Sequence, residues 1–118
     1  MTRHGGFDVR IAPEVVKTIR HLTRQSGAPS ADMRRVWAAQ ERLARAGTRA
    51  EGARKLKSLD LWEIRAGRFR LFFCPVRGTR MLAIGAMIVK SSRRIRMARL
   101  QQIEQTVHRW RDTLEDAR

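Results

Sequence analysis

The chain has 118 residues, a length typical of one domain, with 26 lysines and arginines against 11 aspartates and glutamates. The net charge of +15 favours a strongly negative partner, such as a nucleic acid or an acidic protein. The apolar run at 81–89 is too short for a membrane span, and residues 1–6 lack the apolar segment of a signal peptide. The single cysteine, Cys74, excludes an internal disulfide, and without a Cys/His cluster a zinc site is not expected. We therefore expect one cytoplasmic domain, residues 1–118, with no membrane contact, metal or cofactor.

The first elements are a short strand and a helix. Residues 7–11 (FDVRI) alternate between apolar and polar, which is typical of an edge strand. Pro13 suits the first turn of a helix, and the apolar spacing carries that helix to about Arg24. The glycine and proline within 27–29 predict a loop after it.

A second helix follows this loop. Ser30 is a good N-cap, and Gly47 suits the residue just beyond the last turn. Two helices joined by a short loop predict an N-terminal helical hairpin. Residues 48–57 are polar and basic, so we interpret them as a connection.

Residues 61–73 (LWEIRAGRFRLFF) predict a β-hairpin that turns at Ala66-Gly67. Arg65 would then face Arg68, and Glu63 would face Arg70, with facing side chains on the same side of the sheet. One side would be apolar and the other would gather the charges, the apolar set being Trp62, Ile64, Phe69, Leu71 and Phe73. Because facing arginines repel, we expect an anion to visit the charged side. The alternative is an ordinary solvated face of a basic protein.

Residues 80–90 predict a third strand, in which Gly85 allows a bulge or a close approach. Ser91 or Ser92 would cap a last helix whose first turns carry several arginines. The predicted fold is therefore α+β. It comprises the short edge strand, the N-terminal helical hairpin, a three-stranded antiparallel sheet and a C-terminal helix, with the helices on one face of the sheet.

Two runs, KLKSLDLWEIRAGRFRLFF from Lys55 and MLAIGAMIVKSSRR up to Arg94, resemble the HigB-like, phage-related branch of the RelE/ParE toxin superfamily. The resemblance implies a toxin of a type II toxin-antitoxin system. Its activity would be that of a metal-independent endoribonuclease that cleaves mRNA on the ribosome, through attack of the 2′-hydroxyl on the adjacent phosphodiester. The implied partners are mRNA, the ribosome and a cognate antitoxin, a helix-turn-helix protein with an acidic binding segment.

Such a reaction requires removal of a proton, stabilisation of a charged phosphorane and protonation of the leaving oxygen. The resemblance implies that Arg70, Arg65 and Lys90 are catalytic: arginines clamp phosphate oxygens and lysine acts as acid or base. Glu63 is expected to orient an arginine, with a general base as the alternative. The remaining expected site residues bind RNA phosphates; these are Arg68, Arg93, Arg94, Lys55 and Lys57.

The chain departs from the family pattern at three positions. The pattern has a lysine pair after the third strand, and this chain has Lys90 alone, one residue later than expected. It has no tyrosine, so Phe69 stands where the pattern has one, and Ile84 stands where a histidine is common. We interpret His108, on the last helix, as an ordinary surface or half-buried histidine. Two alternatives to the ribonuclease therefore stay open. One is a ParE-like toxin that inhibits gyrase without cleaving RNA, and the other is a phage-derived basic protein that docks an acidic partner.

Overall fold

A computed structural model describes residues 6–26 and 30–117, with the backbone alone for 23–26. The loop expected at 27–29 lies outside the described residues. None of the described helices combines the length and the apolar content that a membrane span requires. The elements in chain order are β1 (Asp8–Ile11), α1 (Pro13–Ser26), α2 (Ala31–Ala46), a 3-10 turn (Gly47–Arg49), β2 (Ala53–Lys55), β3 (Trp62–Ala66), β4 (Phe69–Pro75), β5 (Met81–Val89) and α3 (Met97–Asp116).

The strands form one five-stranded sheet in the order β1-β5-β4-β3-β2. β1 is parallel to β5, and the other neighbouring pairs are antiparallel. The α+β class agrees with the sequence, but the expected three-stranded antiparallel sheet is wrong because a strand is added at each edge. β2 lies within residues 48–57, where the sequence predicts a connection, so that prediction is wrong. It is three residues long and two of them are exposed cations, so no apolar alternation reveals it.

The helices cover both faces of the sheet, which corrects the expected N-terminal hairpin and one-sided packing. α1 packs mainly against β5 and α2 mainly against β3, rather than against each other. α3 packs on the opposite face, against β5 and β4. The physical reason is that the sheet is apolar on both sides: Phe72 and Phe73 are both fully buried, one towards each helical layer.

The cap of α2 is confirmed, whereas the expected start of α3 is wrong. Ser30 Oγ accepts a hydrogen bond from the backbone N–H of Met33 at 3.2 Å. α3 begins at Met97 rather than directly after Ser91. Ser91 Oγ accepts instead from the N–H of Arg93, at 3.3 Å, and so closes a local turn before the helix.

The register of the β3-β4 hairpin differs from the expected one by two residues. Ala66 pairs with Phe69 and Arg65 pairs with Arg70, so the turn is Gly67-Arg68. Gly67 has φ +64°, and a hairpin turn of this length favours glycine at its first central position. A shift of two residues preserves which side chains share a face, and the predicted apolar face is confirmed. Arg68 leaves the charged face because it lies in the turn.

Gly85 fixes the position of α3 on the sheet. It lies at an irregularity where Phe72 pairs with Ala86 and Phe73 with Ile84, which confirms the predicted bulge. A Cβ atom at Gly85 would lie 2.7 Å from the Cα atom of Val107, so the predicted close approach is confirmed as well. α3 therefore seals the middle of this face, and its N-terminal end borders a groove.

Candidate functional site

An open groove of about 960 Å³ lies between the N-terminal end of α3 and the β2-β3 edge of the sheet. We call it the cationic groove. Its lining combines apolar and positively charged side chains with one carboxylate, and consists of Arg54, Leu56, Lys57, Glu63, Lys90, Ser92, Arg94, Ile95, Arg96, Met97 and Leu100. Volumes of roughly 300–1,000 Å³ are usual for sites that hold small molecules or parts of larger ones.

Glu63 is the buried charge of this groove. Its side chain is 10% exposed, and its Oε2 atom lies 3.4 Å from Nε of Arg54, whose side chain is 72% exposed. Oε1 has no hydrogen-bond partner among the described residues. Every fully enclosed side-chain oxygen in this part of the chain has a partner, so Oε1 is partly accessible, and Glu63 lines the groove. The carboxylate is therefore available to a ligand.

The arginine that contacts Glu63 is Arg54, not Arg70. Sequence reasoning missed Arg54 because it assigned residues 48–57 to a connection. In β2, Arg54 lies directly opposite Glu63 in β3, which places both side chains on the face that α3 covers. β2 offers no alternation that could have revealed it, because its three residues are one small and two basic ones.

Lys90 lines the groove and organises the segment that leads to α3. Its Nζ donates to the carbonyl oxygens of Ser91 and Arg93, both at 2.9 Å. An ammonium group has three N–H donors, so one of them remains for a bound anion. The backbone N–H of Lys90 also donates to Arg68 O at 2.7 Å, which ties this segment to the hairpin turn.

Arg65 and Arg70 lie one row nearer to the hairpin turn than Glu63, on the same face of the sheet. They face each other across the two strands. The Nη1 atom of Arg70 donates to Gly67 O at 3.0 Å and to Phe69 O at 2.9 Å. The side chain of Arg65 has no partner among the described residues. Both extend the positive surface beyond the groove, towards the turn.

Arg68 and Lys55 lie away from the groove. Arg68 Nε donates to Asp32 Oδ2, on α2, at 2.8 Å. Lys55 points to the other face from Arg54, since neighbouring strand residues alternate, and its Nζ donates to Leu59 O at 2.7 Å. Each of these two cations already has an acceptor outside the groove.

Of the other expected RNA-binding residues, Lys57 and Arg94 line the groove. Arg93 borders a smaller adjoining pocket of about 260 Å³, together with Arg96 and Arg99. None of these five cations forms an ion pair with a carboxylate in the described part of the chain. Unpaired charges of one sign produce a strong local potential that attracts polyanions.

The other half of α3 carries paired charges. Asp60, in the loop between β2 and β3, is held at three points, and we call this arrangement the Asp60 clamp. Its N–H donates to Glu104 Oε2 and its carbonyl oxygen lies 2.7 Å from His108 Nε2. Its carboxylate lies 3.4 Å from Arg111 Nη1. His108 is half-buried and structural here, as the sequence suggested.

Arg111 also lies close to two further carboxylates. Its Nε atom lies 3.1 Å from Asp112 and 3.9 Å from Glu115. Beneath it, burial raises the pKa of the Cys74 thiol to about 11, although the nearby guanidinium of Arg111 acts in the opposite direction. Over the residues that the structure describes, no group of three or more His, Cys, Asp or Glu side chains is arranged to hold a metal ion.

No protein-family model matches this chain, and no curated protein is significantly similar to it. The RelE/ParE resemblance therefore stays a prediction from the residues of two segments, 55–73 and 81–94.

Proposed function

We propose that the cationic groove binds single-stranded RNA and that the protein is an endoribonuclease toxin of the RelE/ParE type, which cleaves mRNA without a metal ion. The observation that carries the proposal is the concentration of unpaired cations at one end of α3, beside a buried carboxylate with an open oxygen atom. A phosphodiester strand matches this surface in charge. The resemblance of residues 55–94 adds the reaction class.

The chemistry suits cationic side chains. The 2′-hydroxyl gives its proton to solvent water and attacks the adjacent phosphorus, the P–O5′ bond breaks, and a 2′,3′-cyclic phosphate and a 5′-hydroxyl result. Arg65 and Arg70 would bind non-bridging oxygens and stabilise the phosphorane charge, since guanidinium groups present fixed donors to phosphate. The free N–H of Lys90 would protonate the leaving 5′-oxygen. Glu63 would hold Arg54 at the edge of the groove.

The partners follow from the same surface. A cognate antitoxin with an acidic segment would cover the cations and silence the toxin in the cytoplasm, where the ribosome supplies mRNA. The net charge of +15 supports both an RNA and an acidic protein as partners.

Expression of the protein alone tests this function. We expect growth arrest through loss of translation, with discrete mRNA cleavage sites seen by primer extension. The matched control is Arg70→Ala, which should express to the same level without cleavage. Intact messages together with arrested replication and DNA-damage induction would contradict the proposal and favour gyrase inhibition.

A second candidate is a toxin or interaction protein that binds without cleaving. One observation favours it: the described lining of the groove contains no histidine and no tyrosine, and two of the three N–H groups of Lys90 are used by carbonyl oxygens. Purified protein that binds RNA in a salt-sensitive manner but yields no cyclic phosphate product would favour this candidate.

A further inference from the structure

Glu63 is the part of the groove that phosphate binding does not explain. A carboxylate is an acceptor only, and it repels phosphate oxygens. Its contact with Arg54 is long, at 3.4 Å, and that arginine is 72% exposed. Exposed ion pairs contribute little, whereas removing a carboxylate from water is costly. The open Oε1 atom therefore calls for a ligand group that donates hydrogen bonds.

The walls beside Glu63 are apolar. Leu56 belongs to the same buried apolar cluster as Phe72, and the partly buried Ile95 and Leu100 pack against that cluster. Met97, at the start of α3, is 49% exposed and also lines the groove. An apolar surface next to a hydrogen-bond acceptor suits an unstacked base, whose face packs on side chains while its edge is read.

We propose that Glu63 is a specificity-determining residue that reads a guanine base in the groove, a step that rests on the proposed RNA binding. Guanine presents two adjacent donors, N1–H and the 2-amino group: one would meet the open Oε1 atom, and the other a second lone-pair site of Oε2, whose one contact is the long one with Arg54. Adenine and cytosine present one amino donor beside an acceptor nitrogen, and uracil presents one N–H between two carbonyl groups. The surrounding cations hold the flanking phosphates, and Glu63 selects the base.

The test is the affinity of the purified protein for short oligouridylates that carry one central guanosine, inosine, adenosine, cytidine or uridine. The central nucleotide has a 2′-deoxy sugar, so that no attacking hydroxyl is present there. We expect guanine to bind about 10-fold more tightly than adenine, cytosine or uracil, since a good bidentate base contact gives roughly 5- to 150-fold discrimination. Inosine lacks the 2-amino group and should lie between guanine and the others.

Glu63→Gln should reduce the preference for guanine to less than about 2-fold while the all-uridine strand binds as before or more tightly. Glu51→Gln is the matched control, because Glu51 is exposed in the turn before β2 and its side chain makes no described contact. This variant should keep the preference. Glu63→Asp retains the charge and should keep part of it. Melting temperatures show whether each variant is folded.

The outcomes separate the two proposals. Absence of binding to every oligonucleotide would overturn the proposed function and this inference together. Equal affinity for all five strands in the wild-type protein would overturn the inference alone and leave RNA binding intact. A guanine preference that survives in folded Glu63→Gln would assign the selection to another residue and would also overturn it. The comparison of guanine with inosine tests the inference even if Glu63→Gln fails to fold.

Discussion

The two ends of α3 arrange their charges in opposite ways. Near its N-terminal end, Lys57, Arg94 and Arg96 border the cationic groove without a carboxylate partner in the described part of the chain. Near its C-terminal end, Arg111 is surrounded by carboxylates and the Asp60 clamp fixes the β2-β3 loop. The same helix thus uses charge to join elements at one end and leaves charge unused at the other.

This difference predicts that the charges near the C-terminal end of α3 contribute to folding stability and those near its N-terminal end to anion binding. A charged side chain held by neighbours stabilises the fold when it is partly buried, because its removal leaves the groups around it without a hydrogen-bond partner. A charge without a partner adds only repulsion to the folded state, and its interaction energy becomes available when an anion binds. Substitutions at the two ends of α3 should therefore change different measurements.

The largest expected effect is on catalysis at the groove. Lys90→Ala should reduce the single-turnover cleavage rate about 100-fold or more, because a proton donor acts in the transition state. RNA affinity should fall by less than about 5-fold, since one contact among several is lost. Arg77→Ala, which removes an exposed cation at the other end of α3, is the control and should change neither. Equal losses of rate and affinity in Lys90→Ala would reject the proton-transfer role.

The next effect is on the packing that holds α3 between the two ends. Gly85→Ala should lower the free energy of unfolding by about 2 kcal/mol, because the new Cβ would lie 2.7 Å from the Cα atom of Val107. Urea denaturation measures this change. Gly78→Ala is the control: its Cβ would meet nothing within 4 Å, so only the backbone strain of φ +76° remains and the loss should be about 1 kcal/mol. Equal losses would show that contact with α3 is not the constraint.

Removal of charges from each end of α3 in turn gives a smaller effect on two different measurements. Arg111→Ala should lower the free energy of unfolding by about 1 kcal/mol and leave RNA affinity unchanged. The double substitution Arg94→Ala and Arg96→Ala should leave stability within about 0.5 kcal/mol but reduce the salt dependence of RNA affinity by about one phosphate contact or more. Denaturation and salt titration of both proteins check this. If the double variant loses stability instead, the cations of the groove are structural.

The smallest effect concerns the thiol beneath Arg111. Burial raises the pKa of Cys74 to about 11 from 9.0, so the unfolded chain loses this proton at lower pH than the folded chain. The free energy of unfolding must then fall as pH rises through 9.0, the pKa of the thiol in the unfolded chain. The fall is about 0.4 kcal/mol at pH 9 relative to neutral pH. Cys74→Ala should lack this part of the pH dependence. Parallel pH profiles of unfolding for the two proteins would contradict the raised pKa.

The sequence predicted those parts of the fold that one residue determines. Ser30 is a local cap, and Gly85 is a small residue in an apolar strand, so both were recognised without knowledge of neighbouring elements. The hairpin register was wrong because the alternation of side chains is the same after a shift of two residues. Only the positive φ required at Gly67 distinguishes the two registers.

The candidate site was harder to predict than the fold, because it depends on contacts between elements that are distant in the sequence. Glu63, Arg65 and Arg70 share a face as the alternation predicted. The pairing of Arg54 with Glu63 requires β2, an edge strand too short to leave a sequence pattern. Likewise, the groove exists because α3 begins at Met97 and lies across this face, and no local signal at Ser91 or Ser92 indicated that later start.

The salt dependence of RNA affinity tests the central claim most directly. If the cations around the groove contact several phosphates at once, the logarithm of the association constant should fall linearly with the logarithm of salt concentration, with a slope of about −3 to −5. Titration of a labelled single-stranded RNA between low and moderate salt gives this slope. A slope of that size supports a polyanion as the ligand of the groove, and affinity that does not change with salt would contradict the account.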